Sequence, residues 1–153
     1  MKLSSLSVFV RTSALFIVFG LVGACTGGSL GNVPVTCSSD AGSSSLANWS
    51  GVKTVIGFYC GGAGCHNEGQ QPAFFPDDDA TLYRTLMEHR VAKCGGRVLV
   101  KPCAPEDSAF YRAQAGTCET LPRMPFGCGE GSCTSADDLE GVRQWIASGA
   151  AME

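Results

Sequence analysis

The sequence is poor in charge, in histidine and in long apolar runs. Charged residues make up 16% of its 153 positions, with 11 Lys+Arg against 14 Asp+Glu and a formal net charge of −3. A nucleic-acid-binding chain of this size needs a basic stripe, so no nucleic-acid partner is expected. There are only two histidines, His66 and His89. The chain contains no G-x-S-x-G elbow, no H-E-x-x-H helix and no glycine loop running into Lys-Ser/Thr, so no catalytic residue is assigned. No internal repeat and no alternating pattern long enough for a sheet core is present, which disfavours an all-β architecture. The apolar run from Ala14 to Val22 is shorter than the roughly 20 residues that span a bilayer. The hydrophobic share of 44% excludes wholesale disorder, and a chain of this length is expected to form one domain.

What the sequence does have is cysteine, nine in all, and 20 glycines. That cysteine content fits an oxidising compartment. Lys2 and Arg11 precede the apolar run, which ends in Leu21-Val22-Gly23-Ala24-Cys25. This pattern resembles a bacterial lipobox. The resemblance implies that residues 1–24 are a signal peptide, cleaved before Cys25, and that Cys25 carries a diacylglyceryl group. An ordinary cleavage site beside an incidental cysteine is the simpler alternative. Removal of residues 1–24 leaves 129 residues with 9 basic and 14 acidic groups, a balance of −5. Acyl chains, two or three together, would then hold the protein to a membrane where charge would not. Thr26 does not resemble an inner-membrane retention residue. The expected location is therefore the bacterial cell envelope, with the periplasmic face of the outer membrane preferred. Residues 25–45 are rich in Gly, Ser and Thr and read as a flexible tether, with Cys37 able to staple it to the domain over 46–153.

Within that domain the periodicity predicts three to four short helices joined by long loops. Trp49, Val52, Ile56 and Tyr59 fall at helical spacing over 46–59, with Gly51 and Gly57 weakening the helix. Asp77, Asp78 and Asp79 crowd the positive end of a second helix, which carries Leu82/Leu86 and Tyr83/Met87 and is expected to run to Gly95 and Gly96. Arg97 to Lys101 is a short extended run. Pro105 to Gln114 is a short helix with proline in its first turn. Residues 116–134 are loop. Ser135 and Asp138 open the last helix as a capping-box-like pair, Leu139, Val142, Trp145 and Ile146 give it an apolar face, and Gly149 stops it. The fold class is all-α. Loops this long in a small domain usually wrap a cofactor or are held by disulfides.

The chemistry centres on Cys60-Gly-Gly-Ala-Gly-Cys65-His66. Covalent haem attachment uses two thiols, which add to the two vinyl groups, and a histidine directly after the second thiol, which reaches the iron. The usual spacing is C-x-x-C-H; here four residues intervene. Three of them are glycines, which let the longer loop fold. Attachment through Cys65 alone, with Cys60 in a disulfide, is the alternative that this spacing leaves open. A second axial ligand would come from far along the chain. Met124 stands in Leu-Pro-Arg-Met-Pro-Phe-Gly over 121–127, where Pro122 and Pro125 stiffen the loop, and a His/Met pair suits an electron carrier. Met87 reads as core, Met152 as terminus and His89 as a solvated surface residue. Trp49, Tyr59, Phe74, Phe75, Phe126 and Trp145 are candidates for packing against a macrocycle.

The order of these features resembles the class I c-type cytochromes. A helix precedes the C-H motif, a methionine loop follows 58 residues after His66, and an amphipathic helix closes the chain. Four stretches, FYCGGAGCH, VKPCAPEDSAFYR, LPRMPFG and VRQWIASGA, resemble the small cytochrome c-like lipoproteins of myxobacteria and related bacteria. The resemblance implies a small cytochrome c-like domain that binds one covalent haem c, with Cys60 and Cys65 as attachment points and His66 and Met124 as axial ligands. It implies an electron carrier rather than an enzyme, in transient contact with redox partner proteins. The competing reading is a haem-free, disulfide-stapled surface lipoprotein that acts as a binding or structural module.

Six cysteines remain after lipid and haem are assigned. Cys128 and Cys133 flank a glycine-rich turn and are expected to pair locally; Cys94 with Cys103 and Cys37 with Cys118 are the other pairings expected. Without haem, eight thiols would make four disulfides, also an even number. A structural zinc site is a third use for these thiols, less suited to an exported chain.

Overall fold

A computed structural model describes residues 37, 44–61, 65–66, 75–129 and 133–152. Residues 1–24, expected to be a signal peptide, Cys25, and most of residues 25–45, expected to be a tether, lie outside the described residues. Four α-helices and one two-stranded ribbon make up the regular structure among them, so the domain is mostly helical, as expected.

Helix α1 spans Trp49–Val55. The Asn48 side chain accepts from the Gly51 amide at 2.9 Å and so satisfies one of the orphan donors of the first turn. The helix continues as a π-helical turn over Ile56–Cys60, closed by Gly61 N–H to the Ile56 carbonyl at 2.9 Å. Such wide turns recur at functional sites, and this one ends on Cys60. Helix α2 spans Asp79–Glu88 with Asp78 as its N-cap, accepting from Thr81 N–H at 2.7 Å. Asp79 also receives the Lys53 ammonium at 2.8 Å, which ties α2 to α1.

Helix α2 stops at Glu88, well short of Gly95 and Gly96. The reason is competition for its carbonyls. Val100 N–H donates to the Leu86 carbonyl and Leu99 N–H to that of His89, both at 2.8 Å. The chain after His89 therefore runs extended, and β1 (Arg90–Val91) pairs antiparallel with β2 (Arg97–Val98), Arg90 opposite Val98. Gly95 and Gly96, at φ +65° and +70°, make the turn between them. His89 is half-buried at the end of α2 rather than on an open surface.

A 3₁₀ turn over Pro105–Asp107 leads into α3, Ala109–Ala115, which Gly116 ends in the left-handed conformation. Helix α4 spans Ala136–Ala147. Its start is the capping arrangement read from the sequence: Ser135 Oγ accepts from Asp138 N–H at 3.1 Å. Tyr59 O–H donates to the same aspartate at 2.8 Å and so fastens the end of the π-turn to the start of α4.

The core lies between these helices. Trp49 and Trp145 pack with ring centroids 6.0 Å apart, and Tyr83 meets Trp49 edge-on at 5.6 Å. Val52, Val55, Leu86, Val142 and Ile146 complete the centre, each buried. Met87 packs against this cluster, and Met152 is exposed at the chain end. On α4, Glu140 holds Arg143 through two bonds of 2.7 Å and accepts from Gln144 at 2.8 Å; these bonds, Arg143 first, lower its carboxyl to about 2. Gln144 in turn accepts from the Ser44 amide at 3.0 Å.

Three disulfides lock the loops. Cys128–Cys133 forms as expected. The other two differ: Cys94 pairs with Cys118, and Cys37 with Cys103. The strand Arg97–Val98 carries the chain away from Cys94 before it reaches Cys103, and each takes another partner. The ribbon turn instead puts Cys94 against the loop after α3, where Thr120 N–H donates to the Lys93 carbonyl at 3.1 Å. Cys103, its amide bonded to the Ile146 carbonyl at 2.8 Å, is left for Cys37.

Gly51 has a packing role that its low helix propensity obscures. A Cβ there would lie 2.3 Å from the Leu46 carbonyl oxygen, and one on Gly141 of α4 would lie 2.7 Å from Leu46 Cβ. Both glycines exist so that Leu46 can pack against α1 and α4. Gly51→Ala is therefore expected to destabilise the protein by about 1–3 kcal/mol, although alanine is the better helix former by about 1 kcal/mol. Urea unfolding of the two proteins checks the sign; a stabilised Gly51→Ala variant would refute this account of the close approach.

Candidate functional site

The π-turn, Cys65, His66 and Phe75, α3 and the segment over 121–126 line a cavity of about 490 Å3. That is the size range of cofactor and small-molecule sites. The four residues singled out in the sequence, Cys60, Cys65, His66 and Met124, all line it.

Each is held by a nameable contact. Cys60 closes the π-turn and is 9% exposed. Its carbonyl accepts the His66 amide at 2.9 Å, which ties the backbone of His66 to that of Cys60. The His66 ring meets Phe75 edge-on at 5.5 Å, and Phe75 meets Phe110 of α3 at 6.3 Å. Met124 is carried by the end of α3. Its amide donates to the Ala113 carbonyl at 2.9 Å, and Arg123 Nε donates to the Gln114 carbonyl at 2.9 Å. Both are last-turn carbonyls of α3, and that of Ala113 also accepts the Gly116 amide at 3.3 Å. Upstream the same segment is tied by Cys94–Cys118, and downstream by Cys128–Cys133.

The walls are mainly apolar: Val91, Leu99, Ala109, Phe110, Ala113, Leu121 and Pro125, with Tyr59, Phe75 and Phe126. Of the aromatics expected to pack here, Tyr59, Phe75 and Phe126 line the cavity. Trp49 and Trp145 are in the core instead, and Phe74 lies outside the described residues. The α3 wall was not anticipated. Its signal was present, because Ala109/Ala113 and Phe110/Gln114 are i,i+4 pairs on adjacent stripes, and two alanines one turn apart leave space beside the helix. Gln114, 1% exposed, is the polar exception; it donates to the Phe110 carbonyl at 3.2 Å and accepts from Thr134 Oγ1 at 2.9 Å.

Six of the eight described cysteines are in disulfides, and the remaining two, Cys60 and Cys65, face this cavity. Burial, with the neighbouring Cys65 thiol adding to it, pushes the Cys60 thiol up to about 12. At neutral pH it is a protonated thiol, unsuited to act as a nucleophile. Among the described residues no group of three or more His, Cys, Asp or Glu is placed to hold a metal ion, so Cys60, Cys65 and His66 do not form a zinc-type site. No described helix is long and apolar enough to cross a membrane.

Comparison with protein families, with curated proteins and with solved structures returned no match. The functional reading therefore rests on the residues and on this cavity.

The raised Cys60 thiol has a measurable consequence. Unfolding returns it to near 9, so at pH 8 the thiolate fraction rises by roughly a factor of 1,000. Alkylation of Cys60 by iodoacetamide in the folded chain, with both thiols free, is expected to be slowed by at least that order relative to the denatured chain. Because the folded value lies above the unfolded one, the associated stability is complete below about pH 9 and is lost as pH rises toward 12. Mass-spectrometric mapping of the alkylated cysteines checks the rate; equal rates in the folded and denatured chains would show that Cys60 is not buried.

Proposed function

We propose that the chain is a monohaem c-type cytochrome with a class I-like domain, and that it carries single electrons. The observation that supports this most is the coincidence in one cavity of an imidazole, a thioether and the two described thiols left out of disulfides. The haem-free reading anticipates four disulfides; the described residues contain three, and the thiols left over are the pair in the C-x4-C-H motif.

The donor set fits the group. Cys60 and Cys65 would supply thioether links, and His66 and Met124 the axial ligands. The apolar walls over α3 and the π-turn suit a large apolar macrocycle, whose burial is favoured by the hydrophobic effect. When bound, haem supplies a one-electron iron couple whose potential the axial ligands help to set. The protein's share is positioning and exclusion of water. The Cys60 carbonyl and the Phe75 ring orient His66. The α3 terminus holds Met124 with a backbone bond, so that the soft thioether does not depend on loop conformation. If His66 and Met124 both held the group, the chain itself would fill the positions a substrate needs, which favours a carrier over a catalyst.

The location belongs to the same proposal and rests on the sequence alone. The signal-like segment and Leu21–Cys25 support a mature protein anchored through lipid on Cys25, on the periplasmic face of a bacterial envelope membrane.

Expression with a c-type haem-maturation system tests the reading. The mature protein is expected to be red, with a sharp reduced α band, and to retain one haem mass after denaturation. Cys65→Ala is expected to abolish stable attachment. Met124→Ala is expected to keep the covalent haem and change the ligand-field spectrum. A colourless protein with free thiols at 60 and 65 would reject the proposal, and an unchanged Met124→Ala spectrum would remove Met124 as ligand.

A further inference from the structure

Cys60 and Cys65 are the two described cysteines that no disulfide takes, and the backbone brings them together. The His66 amide donates to the Cys60 carbonyl at 2.9 Å. Cys65 directly precedes that amide, so standard backbone dimensions put the Cα atoms of the two cysteines at most about 8 Å apart. Both residues line the same cavity. Cys60 is buried in its wall, whereas Cys65 is half-buried and keeps contact with solvent.

The surroundings decide what two such thiols can hold. Among the described residues the cavity lining contains no Asp or Glu, so a hard cation such as calcium or magnesium finds no carboxylate oxygen there. Zinc takes four donors in a structural site, and among the described residues no group of three or more His, Cys, Asp or Glu is placed to hold a metal ion. Two thiolates without a third such donor suit a soft cation of single charge, and thiolate is a donor that selects Cu(I). The spacing agrees. Metal–sulfur bonds of about 2.3 Å, the Zn–S scale, on either side of an ion hold two sulfurs farther apart than the roughly 2.05 Å bond of a disulfide.

We propose that the chain, when it carries no haem, binds one Cu(I) ion between Cys60 and Cys65 as a two-coordinate bis-thiolate. Two S–H bonds break, two Cu–S bonds form, two protons leave to solvent and no electron moves. The complex has a charge of −1, and the half-buried position of Cys65 keeps that charge within reach of water. Thioether links to haem would consume the same two sulfurs, so the two occupants exclude one another. The inference shares these thiols with the electron-carrier reading and does not depend on that reading being right.

The test uses the detergent-solubilised full chain, produced without haem maturation and handled without oxygen. Ascorbate supplies one electron to each Cu(II) to give Cu(I) and leaves the disulfides intact; bicinchoninate competes for the ion. One Cu(I) per chain is expected to be withheld from the chelator, with two sulfur neighbours and no nitrogen in the X-ray absorption spectrum of the bound copper. Cys60→Ser and Cys65→Ser are each expected to weaken retention by roughly a hundredfold or more, since changes to groups that only support a ligand already cost about 10- to 100-fold. Far-UV circular dichroism shows that each variant is folded, and Cys65→Ser, at the half-buried position, decides the matter if Cys60→Ser is not. The haem-loaded protein is expected to retain no Cu(I). Complete transfer of the ion to bicinchoninate would overturn the site. So would retention that survives both exchanges, which would assign the copper to other groups, Cys25 included, because Cys25 is common to all these chains. The two readings fail separately. A chain that stays colourless after haem maturation and still withholds one Cu(I) would reject the electron carrier and keep the copper site; a red protein whose haem-free form surrenders all its Cu(I) would do the reverse.

Discussion

Met124 N–H donates to the Ala113 carbonyl at 2.9 Å, and much of the site depends on that bond. The described residues of 116–134 contain no regular element, so no helix or strand of that segment fixes where a methionine would sit. The end of α3 does so. A helix of seven residues has carbonyls in its last turn without internal partners. Here two of them are spent on the segment that carries the thioether. Because Phe110 of the same helix donates its amide to the Leu99 carbonyl at 2.9 Å and is itself part of the core, the position of Met124 is referred back to the packed interior rather than to the surface.

Disulfides do for this loop what secondary structure does elsewhere. Cys94–Cys118 fastens it to the ribbon turn six residues before Met124, and Cys128–Cys133 closes the chain four residues after it. A small domain with short helices has a limited core, and cross-links of this kind remove conformational freedom from the unfolded chain, typically by 2–4 kcal/mol each in order of magnitude. The Cys37–Cys103 bond closes a much longer interval and fixes Cys37 to the segment before α3, while the Ser44 amide bonds Gln144 of α4. Fixing the methionine segment and fixing Cys37 are thus separate tasks, done by separate bonds.

The sequence was most legible where one residue type has one local use. Ser135 and Asp138 announced α4, and Asp78 and Asp79 announced α2, because capping is satisfied within a single turn. Cys128 and Cys133 could be paired for the same reason of short range. Long-range choices were not legible. The end of α2 is decided by amides from Leu99 and Val100, and the partners of Cys37 and Cys94 are decided by the ribbon turn; neither competitor is adjacent in sequence. The π-turn left no trace either, since one wide turn sets up no period. At the site, Cys60, Cys65, His66 and Met124 were found because their chemistry is uncommon in combination. The α3 wall escaped because alanine, phenylalanine and glutamine are ordinary residues, and only their placement beside a cavity gives them a role.

That placement also bears on how the cavity would treat a guest. Its walls are made mostly of aliphatic and aromatic side chains, and its one fully buried polar side chain, Gln114, already spends its amide on Phe110 and Thr134. A polar ligand would find few groups to replace its hydration and would pay for desolvation without return. An apolar, planar one would gain burial against Leu99, Phe110 and Phe75 while leaving the Gln114 bonds intact. Selection here would be set less by what the cavity offers to polar atoms than by what it withholds from them, since apart from the two thiols, the imidazole and the thioether its lining is mostly aliphatic and aromatic.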